Sequence, residues 1–378
     1  MGSGIEVRRV EDEGTERDFH ALPYRIYRDD PTWVPPLDLY QRSRLSPKKP
    51  FFKEATLHRY VAYREGEPVG TISALRDPRH ERVREERTAF FGFFDLIDDA
   101  EVAEALIERV KADARSWGAT TLRGPRNLTR VEEVGVVVEG FDRPQPMLAG
   151  ASRPYYQALL EALGAEKHHD VLAYDIEMYF EDGRPKPIPD YLLQKASEVD
   201  LPGLVLRPAN RLQLNRDLRL AHECFVEAFR DVPENTPMPL SQFVGLGRAF
   251  LFVSNRHMLQ LATVDGKAAG FALCFPDLNE AIIKAQGKTL PFGWARLLWG
   301  LHGVRTSSFK LIGVLPEYRK SGLHSQMIVR AIDGSRDAGY RRMEASLVDE
   351  RNDKMRKVVE STGMEVYRRY RFYDFQVD

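Results

Sequence analysis

Apolar and polar residues follow two recurring patterns along the chain, one with the period of a strand and one with that of a helix. The stretches Tyr60 to Leu75 and Leu259 to Phe275 each contain a strand-like run, a short polar turn with glycine, and a second strand-like run. Each stretch predicts a β-hairpin, with Gly66 and Gly266 at corresponding turns. The pattern therefore predicts one hairpin in each half of the chain.

A helical pattern follows each hairpin. Val102, Leu106 and Val110 have helical spacing and precede Gly118, a typical helix stop, and then a strand that leads to Asn127. The second half repeats this order in "SQMIVRAIDGSRDAGYRRMEASLVDERN". Both halves then contain an amphipathic helix, a glycine and a closing strand. The halves therefore share an order of hairpin, strand, helix, strand, helix, strand, which indicates an internal duplication.

Length and composition permit two domains. The 378 residues are 43% hydrophobic, enough for cores of ordinary size. Glycine and three prolines in "YFEDGRPKPIPDYLL" oppose regular structure near the middle. We predict an N-terminal domain at 1–182, a linker at 183–206 and a C-terminal domain at 207–378.

Charge and cysteine content narrow the function classes. The formal net charge is −1, from 55 basic and 56 acidic residues, so we expect no nucleic-acid partner, although the basic tail "RRYRFY" keeps that alternative open. Cys224 and Cys274 are too few for a disulfide framework or a cysteine zinc site. We expect a cytoplasmic protein without a metal, and no apolar run is long enough to span a bilayer. The oligomeric state stays open.

The stretch "IGVLPEYRKSGLHSQMI" contains the clearest candidate binding site. A strand ending at Val314 leads through a basic turn, Arg319 to Gly322, into a predicted helix. The first N–H groups of a helix lack partners and lie at the positive end of its dipole. The sequence therefore predicts an anion site, with phosphate as the favoured ligand.

This arrangement resembles the GNAT acyltransferase superfamily, where a [Q/R]-x-x-G-x-[G/A] turn holds the acyl-CoA pyrophosphate. Arg319, Gly322 and His324 occupy the three defined positions, and His324 replaces the usual small residue. The resemblance implies an α+β or α/β fold: two GNAT-like domains in tandem, each a mixed, mostly antiparallel sheet with helices on both faces. It implies acyl-CoA as co-substrate, bound by Leu311, Ile312, Gly313, Val314, Arg319, Lys320, Ser321, Gly322, Leu323, His324, Ser325 and Asn352.

A closer resemblance covers nearly the full chain. "LRGPRNLTRVEEVGVVVEGF", "LCFPDLNEAIIKAQGKTLPFGWARLLWGL" and "LIGVLPEYRKSGL" are similar to a bacterial tandem-GNAT family that includes acyl-CoA-dependent ceramide synthases. That resemblance implies an amine acceptor, either a small molecule or a sphingoid-type lipid. Alternatives are acetyl transfer to a small amine or protein lysine, and a non-catalytic binding module. The first half carries Asp95, Asp98, Asp99 and Glu101 at the corresponding turn, which would repel a pyrophosphate.

Acyl transfer to an amine needs a proton acceptor and a route for protonating the thiolate. Strand alternation puts Glu344 and Ser346 on one face, so Glu344 is the favoured base, and His324 is the second candidate. An exposed strand carboxylate and a capping histidine are the alternative interpretations. The tyrosine that acts as acid in many GNAT proteins is replaced by Val359, and Tyr370 is a candidate substitute.

Candidate substrate contacts lie in two other segments. The loop "GPRNLTRVEEVGVVVEGF" and the helix after it offer Asn127, Glu133 and Tyr155 for the acceptor's polar head, although Asn127 could instead satisfy turn backbone. Trp294 and Trp299 lie in an apolar insertion with interspersed basic residues. Such a segment suits an acyl-chain cover or peripheral contact with the inner membrane surface. Packing on its own domain is the alternative.

Overall fold

Strands and helices follow the predicted order in both halves of the computed structural model, which describes residues 4–230, 232, 234–236, 238–253, 259–287 and 293–377. The strands are β1 Ile5–Arg9, β2 Thr56–Arg64, β3 Glu67–Arg76, β4 Thr88–Leu96, β5 Thr121–Gly124, β6 Val136–Glu139, β7 Glu166–Glu177, β8 Leu204–Pro208, β9 Leu259–Val264, β10 Lys267–Pro276, β11 Thr306–Val314, β12 Arg342–Asp349 and β13 Glu365–Gln376. The helices are α1 Glu13–Ile26, α2 Asp38–Arg44, α3 Pro78–Arg84, α4 Ala100–Ser116, α5 Tyr156–Ala162, α6 Asp190–Ser197, α7 Leu214–Ala228, α8 Leu240–Val253, α9 Asn279–Ala285, α10 Gly293–Leu301, α11 Leu323–Asp337 and α12 Asp353–Glu360.

Both predicted hairpins are confirmed. β2 pairs antiparallel with β3, and β9 pairs antiparallel with β10. Gly66 and Gly266 have φ of 83° and 76°, in the left-handed region that glycine enters without strain. The polar turn residues therefore act as the sequence predicted.

The chain divides into two compact units. Unit 1 comprises the described residues of Met1–Val171, Gln286–Gly293 and Arg368–Asp378, and unit 2 comprises those of Leu172–Ala285 and Trp294–Tyr367. The second part of β7 thus belongs to unit 2, and the second part of β13 to unit 1. Tyr373 to Gln376 of β13 pair with β5. The first half of the sequence therefore supplies the end of β7 to unit 2, and the second half supplies the end of β13 to unit 1. The predicted domain boundaries do not include this exchange.

Residues 183–206, predicted as a linker, differ from that expectation in the structure. They contain α6 and the start of β8, and β8 pairs with β9. Leu192 of α6 is 1% exposed and packs with Leu323 and Ile328 of α11. The prolines are compatible with this helix because they precede it, and Pro189 is its N-cap.

Unit 1 has helices on both faces of its sheet. Ala62 of β2 packs in a cluster with Leu106 of α4. Its neighbour Val61 packs in another cluster with Phe19 of α1. Successive strand residues point to opposite faces, so α4 and α1 cover opposite faces of the sheet. β4 and β5 pair in parallel, whereas β1 to β4 pair antiparallel.

Unit 2 repeats this layered arrangement. Ala262 of β9 packs in a cluster with Met327 of α11, and Leu261 packs in a cluster with Phe225 of α7. β8 to β11 pair antiparallel, and β11 and β12 pair in parallel. The predicted tandem fold of mixed, mostly antiparallel sheets is confirmed.

Candidate active site

The parallel pair β11 and β12 opens toward its carboxyl ends. Over the described residues, β12 pairs with β11 only through Thr306 to Phe309 and Arg342 to Ala345. β11 continues to Val314 with its other edge paired to β10, and β12 continues to Asp349. The end of β11 therefore has an open edge, whose backbone groups can pair with an extended, amide-containing ligand.

The chain passes from β11 to α11 through the predicted basic turn. Gly322 is the N-cap of α11, with φ of 80°, and it has no side chain to cap the helix; the Leu323 N–H donates to the Ser321 hydroxyl at 3.3 Å. In the part of the chain that the structure describes, the N–H groups of His324 and Ser325 have no hydrogen-bond acceptor. These donors lie at the positive end of the α11 dipole, so the turn can bind an anion.

The two cations of this turn differ in their contacts. Arg319 donates from Nε to the Val314 carbonyl and from Nη2 to the Ala228 carbonyl, both at 3.3 Å. These bonds connect the turn to the ends of β11 and α7. Lys320 is exposed, and no ion pair to it is found among the described residues. Lys320 is therefore the cation more readily available to a ligand.

Two glycines at this site are required by packing. A Cβ atom at Gly322 would lie 2.3 Å from the Lys195 carbonyl oxygen of α6. A Cβ atom at Gly313 would lie 2.8 Å from the Phe271 ring and 3.1 Å from Ala228. Glycine at 322 thus serves both the left-handed turn and the contact with α6, so a substitution there would disturb packing as well as any anion site.

His324 and Ser325 begin the first turn of α11. The His324 Nε2 atom lies 3.4 Å from the Ser325 hydroxyl oxygen. Burial lowers the pKa of the His324 imidazole, which favours its neutral form. A neutral imidazole can accept a proton but adds no positive charge for a phosphate. The Asn352 side chain caps α12 by accepting the Met355 N–H at 3.2 Å.

Glu344 lies in a buried polar cluster on β11 and β12. Its side chain is 3% exposed, and its Oε2 accepts hydrogen bonds from the Ser308 hydroxyl and from Lys310 Nζ at 3.2 Å. Lys310 also donates to the Ser346 hydroxyl. Glu344 Oε1 is buried without a hydrogen-bond partner among the described residues. The interpretation of Glu344 as an exposed strand carboxylate is therefore wrong.

Lys310, Ser308 and Asp277 were not predicted as site residues. A lysine inside the apolar strand "TSSFKLIGV" was the available signal, because a buried lysine needs a charge partner. Burial, with the nearby Glu344 carboxylate, raises the pKa of Asp277 to about 7. This cluster adds buried ionisable groups to the site beyond the predicted base.

Tyr370 is not in the same unit as the other two catalytic candidates. It is fully buried on β13, pairs with Val137 of β6, and belongs to unit 1, whereas His324 and Glu344 belong to unit 2. Val359, at the usual position of the acid, is buried in α12. Tyr370 as the acid stays a prediction.

The candidate acceptor residues of unit 1 make internal contacts. The Asn127 amide donates to Glu133, and Glu133 also accepts a hydrogen bond from Arg44 at 2.6 Å. The Tyr155 hydroxyl donates to the Leu96 carbonyl at 2.8 Å. The structure thus brings Asn127 and Glu133 together, and it gives all three residues bonds within unit 1. Their role in acceptor binding stays a prediction.

The edge of β4 that corresponds to the open edge of β11 is filled by the chain itself. The Arg126 N–H donates to the Phe91 carbonyl at 2.7 Å, and the Phe93 N–H donates to Asn127 Oδ1 at 2.6 Å. A Cβ atom at Gly92 would lie 2.2 Å from the Arg126 carbonyl oxygen. Residues 126–127 thus occupy the position where an extended ligand would pair.

The apolar insertion forms α9 and α10. Trp299 is 79% exposed and Leu298 is 48% exposed on α10, beside the exposed Arg296. The Trp294 side chain and residues 288–292 lie outside the described residues. The described face of α10 therefore presents an aromatic, an aliphatic and a basic side chain.

No group of three or more His, Cys, Asp or Glu side chains among the described residues could hold a metal ion. None of their helices combines the length and the apolar character needed to cross a membrane.

Comparisons with known proteins define the family. No protein-family model matches the chain. The chain is 34% identical over 379 residues to the bacterial ceramide synthase of Caulobacter vibrioides, with 98% of this chain and 97% of that protein covered. It is 32% identical over 377 residues to Protein YghO of Escherichia coli, with 98% of this chain and 95% of that protein covered.

Solved structures show the same fold. A tandem GNAT protein from the clavulanic acid biosynthesis pathway has a TM-score of 0.56 at 16% identity, with 99% of both chains covered. A GCN5-related N-acetyltransferase from Sphaerobacter thermophilus has a TM-score of 0.54 at 13% identity, with 100% of this chain and 97% of that chain covered. With the two sequence relatives, these structures show that the chain belongs to the family of tandem GNAT N-acyltransferases that includes the bacterial ceramide synthase.

Proposed function

We propose that this N-acyltransferase takes a long-chain acyl group from acyl-CoA and transfers it to the amine of a sphingoid-type base. The observation that carries the proposal is the uncapped start of α11 beside Arg319 and Lys320, at the open end of β11. The relative named bacterial ceramide synthase supports the choice of acceptor. The product would be an N-acyl sphingoid base.

Coenzyme A matches the chemistry of this part of unit 2. Its diphosphate needs donors and positive charge, which the N–H groups of His324 and Ser325 and the Lys320 side chain can supply. Its pantetheine arm contains amides, which suit the backbone groups of the open β11 edge from Leu311 to Val314. Asn352, at the start of α12, is a further proposed contact.

The transfer step makes one bond and breaks one. The neutral amine nitrogen attacks the thioester carbonyl, and the resulting oxyanion collapses with cleavage of the carbon–sulfur bond. The departing CoA thiolate takes up a proton from solvent, and the proton lost by the amine is returned to solvent, so the step balances. We assign Glu344 as the acceptor of the amine proton, because it is a buried carboxylate with one oxygen unused by the described residues. His324 is the second candidate for this role, and Tyr370 stays a candidate acid.

A lipidic acceptor or acyl chain requires an apolar surface near the site. We assign this role to α10, on which Trp299 and Leu298 are exposed beside Arg296. Aromatic, aliphatic and basic side chains together suit the headgroup boundary of a bilayer or a long acyl chain. Asn127, Glu133 and Tyr155 of unit 1 are proposed contacts for the polar head of the acceptor.

Product analysis tests the proposal directly. The purified protein is incubated with palmitoyl-CoA or acetyl-CoA and a mixture of sphinganine, a small polyamine and a lysine peptide. Mass spectrometry should show N-palmitoyl sphinganine, with equimolar release of CoA. An N-acetylated polyamine or peptide without acylated sphinganine would replace the proposal, and no product from any pair would contradict it.

One variant tests whether α10 is needed for the use of a long-chain acyl donor. Trp299→Glu places a charge on the exposed face of α10 and should lower the yield from palmitoyl-CoA about 10-fold, since burying a charge beside an alkyl chain is costly. Trp299→Leu keeps the surface apolar and serves as the matched control. Equal use of palmitoyl-CoA by both folded variants would remove α10 from the proposal.

A further inference from the structure

The buried polar cluster lies on the face of β11 and β12 opposite α11. Met343 and Ala345 pack in the hydrophobic cluster that contains α11, so Glu344, between them on β12, points to the other face. Leu311 of β11 packs on that other face with α7. Glu344 therefore lies on the side of the sheet that α7 covers, away from α11.

A β-bulge aims Lys310 at Glu344. Leu273 of β10 pairs with Leu311, and the next residue, Cys274, pairs with Phe309. Lys310 is thus the extra residue of β11, without a partner across β10. A bulge redirects the side chain of the extra residue, and here Lys310 Nζ lies 3.2 Å from Glu344 Oε2.

The contacts of Glu344 are unequal at its two oxygens. Both the Ser308 hydroxyl and Lys310 Nζ bind Oε2, whereas Oε1 is buried without a partner among the described residues. A buried acceptor without a partner costs free energy. A buried carboxylate oxygen without a partner does not make a purely structural ion pair more stable. The unused oxygen is the acceptor that an amine proton requires.

Other ionisable groups near Glu344 have separate contacts. Glu280 of α9 accepts the backbone N–H groups of Arg305 and Thr306 at 2.9 and 3.0 Å. Asp277 accepts the Asn279 N–H at 3.0 Å, and its raised pKa of about 7 reflects burial and the Glu344 charge. Burial also raises the pKa of the Cys274 thiol to about 12, so this thiol is neutral at physiological pH. Lys310 is the cation that bonds Glu344 within the described cluster.

We propose that Lys310 is the positioning residue of the transferase: it binds Glu344 Oε2 and fixes the carboxylate, so that Oε1 faces the acceptor's amine proton. The inference rests on the proposed function, because it assigns a role within amine acylation. The neutral amine forms the carbon–nitrogen bond, and its nitrogen loses one proton to Oε1 as the carbon–sulfur bond of the thioester breaks. Lys310 stays bound to Oε2 throughout the step.

Three variants test this role. Lys310→Met keeps the length of the side chain without its charge, Lys310→Arg keeps the charge, and Glu344→Gln removes the base. Lys310→Met and Glu344→Gln should each lower kcat about 100-fold, the usual range for a lost general base. The Kd for CoA should change less than about 2-fold, because the diphosphate turn is untouched. Lys310→Arg should recover most of kcat.

The pH profile distinguishes positioning from a structural role. Lys310→Met takes a positive neighbour away from the Glu344 carboxylate, so the acid limb of kcat should move upward in this variant. Glu344→Gln should lose that limb. Lys267→Met, at the exposed β9–β10 turn, is the control and should retain the wild-type profile. An unmoved limb in Lys310→Met, or a parallel loss of kcat and CoA binding, would overturn the proposal.

A measurement without turnover separates this inference from the proposed function. Glutamate labelled with 13C at the carboxyl group reports the titration of Glu344 by NMR, with the signal assigned from its loss in Glu344→Gln. The signal should titrate at higher pH in Lys310→Met than in the wild type. An identical titration would overturn the positioning role even if acylation is observed. An altered titration in a protein that acylates no amine would contradict only the proposed function.

Discussion

The starts of α4 in unit 1 and α11 in unit 2 occupy the same place in the two repeats, after the strand that pairs in parallel. Asp99 caps α4 by accepting the Val102 N–H at 3.1 Å, and it forms an ion pair with Arg64 that lowers its pKa. α11 begins at Gly322 without a side-chain cap and beside Lys320. One helix start is therefore satisfied by the protein, and the other has donors available to a ligand.

The strands that precede these two helices differ in the same way, because the edge of β4 is occupied and the edge of β11 is open. Arg126 and Asn127 fill the edge of β4, whereas the end of β11 is unpaired toward β12 over the described residues. In the parallel pair of unit 1, Arg123 pairs with Phe90, and at the equivalent position of unit 2 Glu344 pairs with Ser308. Arg123 Nε donates to Asp374 Oδ1 at 2.8 Å. Unit 1 thus keeps the fold while its own residues use the positions that could bind a ligand.

The difference between the two helix starts affects the free energy of folding and of ligand binding. A side-chain cap stabilises a helix by about 1 kcal/mol, and an unsatisfied buried donor costs a similar amount. Unit 2 leaves these groups unsatisfied near the proposed site, so ligand binding can recover the lost free energy. Two variants test whether the helix starts decide which unit binds CoA, and a third tests the buried Asp95 of unit 1.

The largest effect is expected when a carboxylate is placed at Ser321, one residue before the N-cap of α11. Ser321→Asp should weaken CoA binding about 100-fold, because a negative charge then lies beside the diphosphate site. Ser321→Asn has a similar shape without charge and is the matched control. Isothermal titration of CoA measures both. Equal affinity of the two variants would mean that the diphosphate does not lie at this turn.

A smaller effect is expected in unit 1. Asp99→Ala removes the α4 cap and the Arg64 pair, and it should lower the free energy of unfolding by about 1 to 2 kcal/mol. CoA affinity should not change, since Arg126 and Asn127 still fill the β4 edge. Urea denaturation provides the measurement, and Asp98→Ala, at the exposed neighbour, provides the control. Stronger CoA binding by Asp99→Ala would show that the cap alone blocks unit 1.

The smallest effect concerns pH. Burial raises the pKa of Asp95 to about 6, above the value of an unfolded chain. The folded state therefore binds this proton more tightly, and the Asp95 contribution to stability grows as the pH falls toward 5 and is lost above 6. The unfolding free energy of wild type minus that of Asp95→Asn should rise by about 1 kcal/mol from pH 7 to pH 5. A constant difference would contradict the raised pKa.

Local patterns predicted the elements near the site well. The turn residues at Gly66 and Gly266 were enough to identify both hairpins, because a left-handed residue restricts the choice of amino acid. The basic turn before α11 was visible because helix starts and strand ends have local signals. The exchanged segments of β7 and β13 were not predictable, since a strand sequence does not specify which sheet it joins.

The cluster around Glu344 shows the limit of sequence reasoning at the site. Strand alternation correctly put Glu344 and Ser346 on one face, but it gave no partner for either. Lys310 reaches Glu344 because a bulge in β11 redirects it, and bulges have no clear sequence signal. The sequence predicts Asn127 as an acceptor contact or a turn residue, whereas its bond to the Phe93 N–H depends on β4 lying beside it.

The sequence by itself determined the duplication, the order of elements and a basic helix start in the second half. These features follow from residue periodicity and turn chemistry, which act over a few residues. Tertiary structure decided which helix start and which strand edge remain available, and which charges meet in the buried cluster. That outcome depends on contacts between distant segments, such as Lys310 with Glu344 and Arg123 with Asp374, where desolvation requires each buried charge to find a partner.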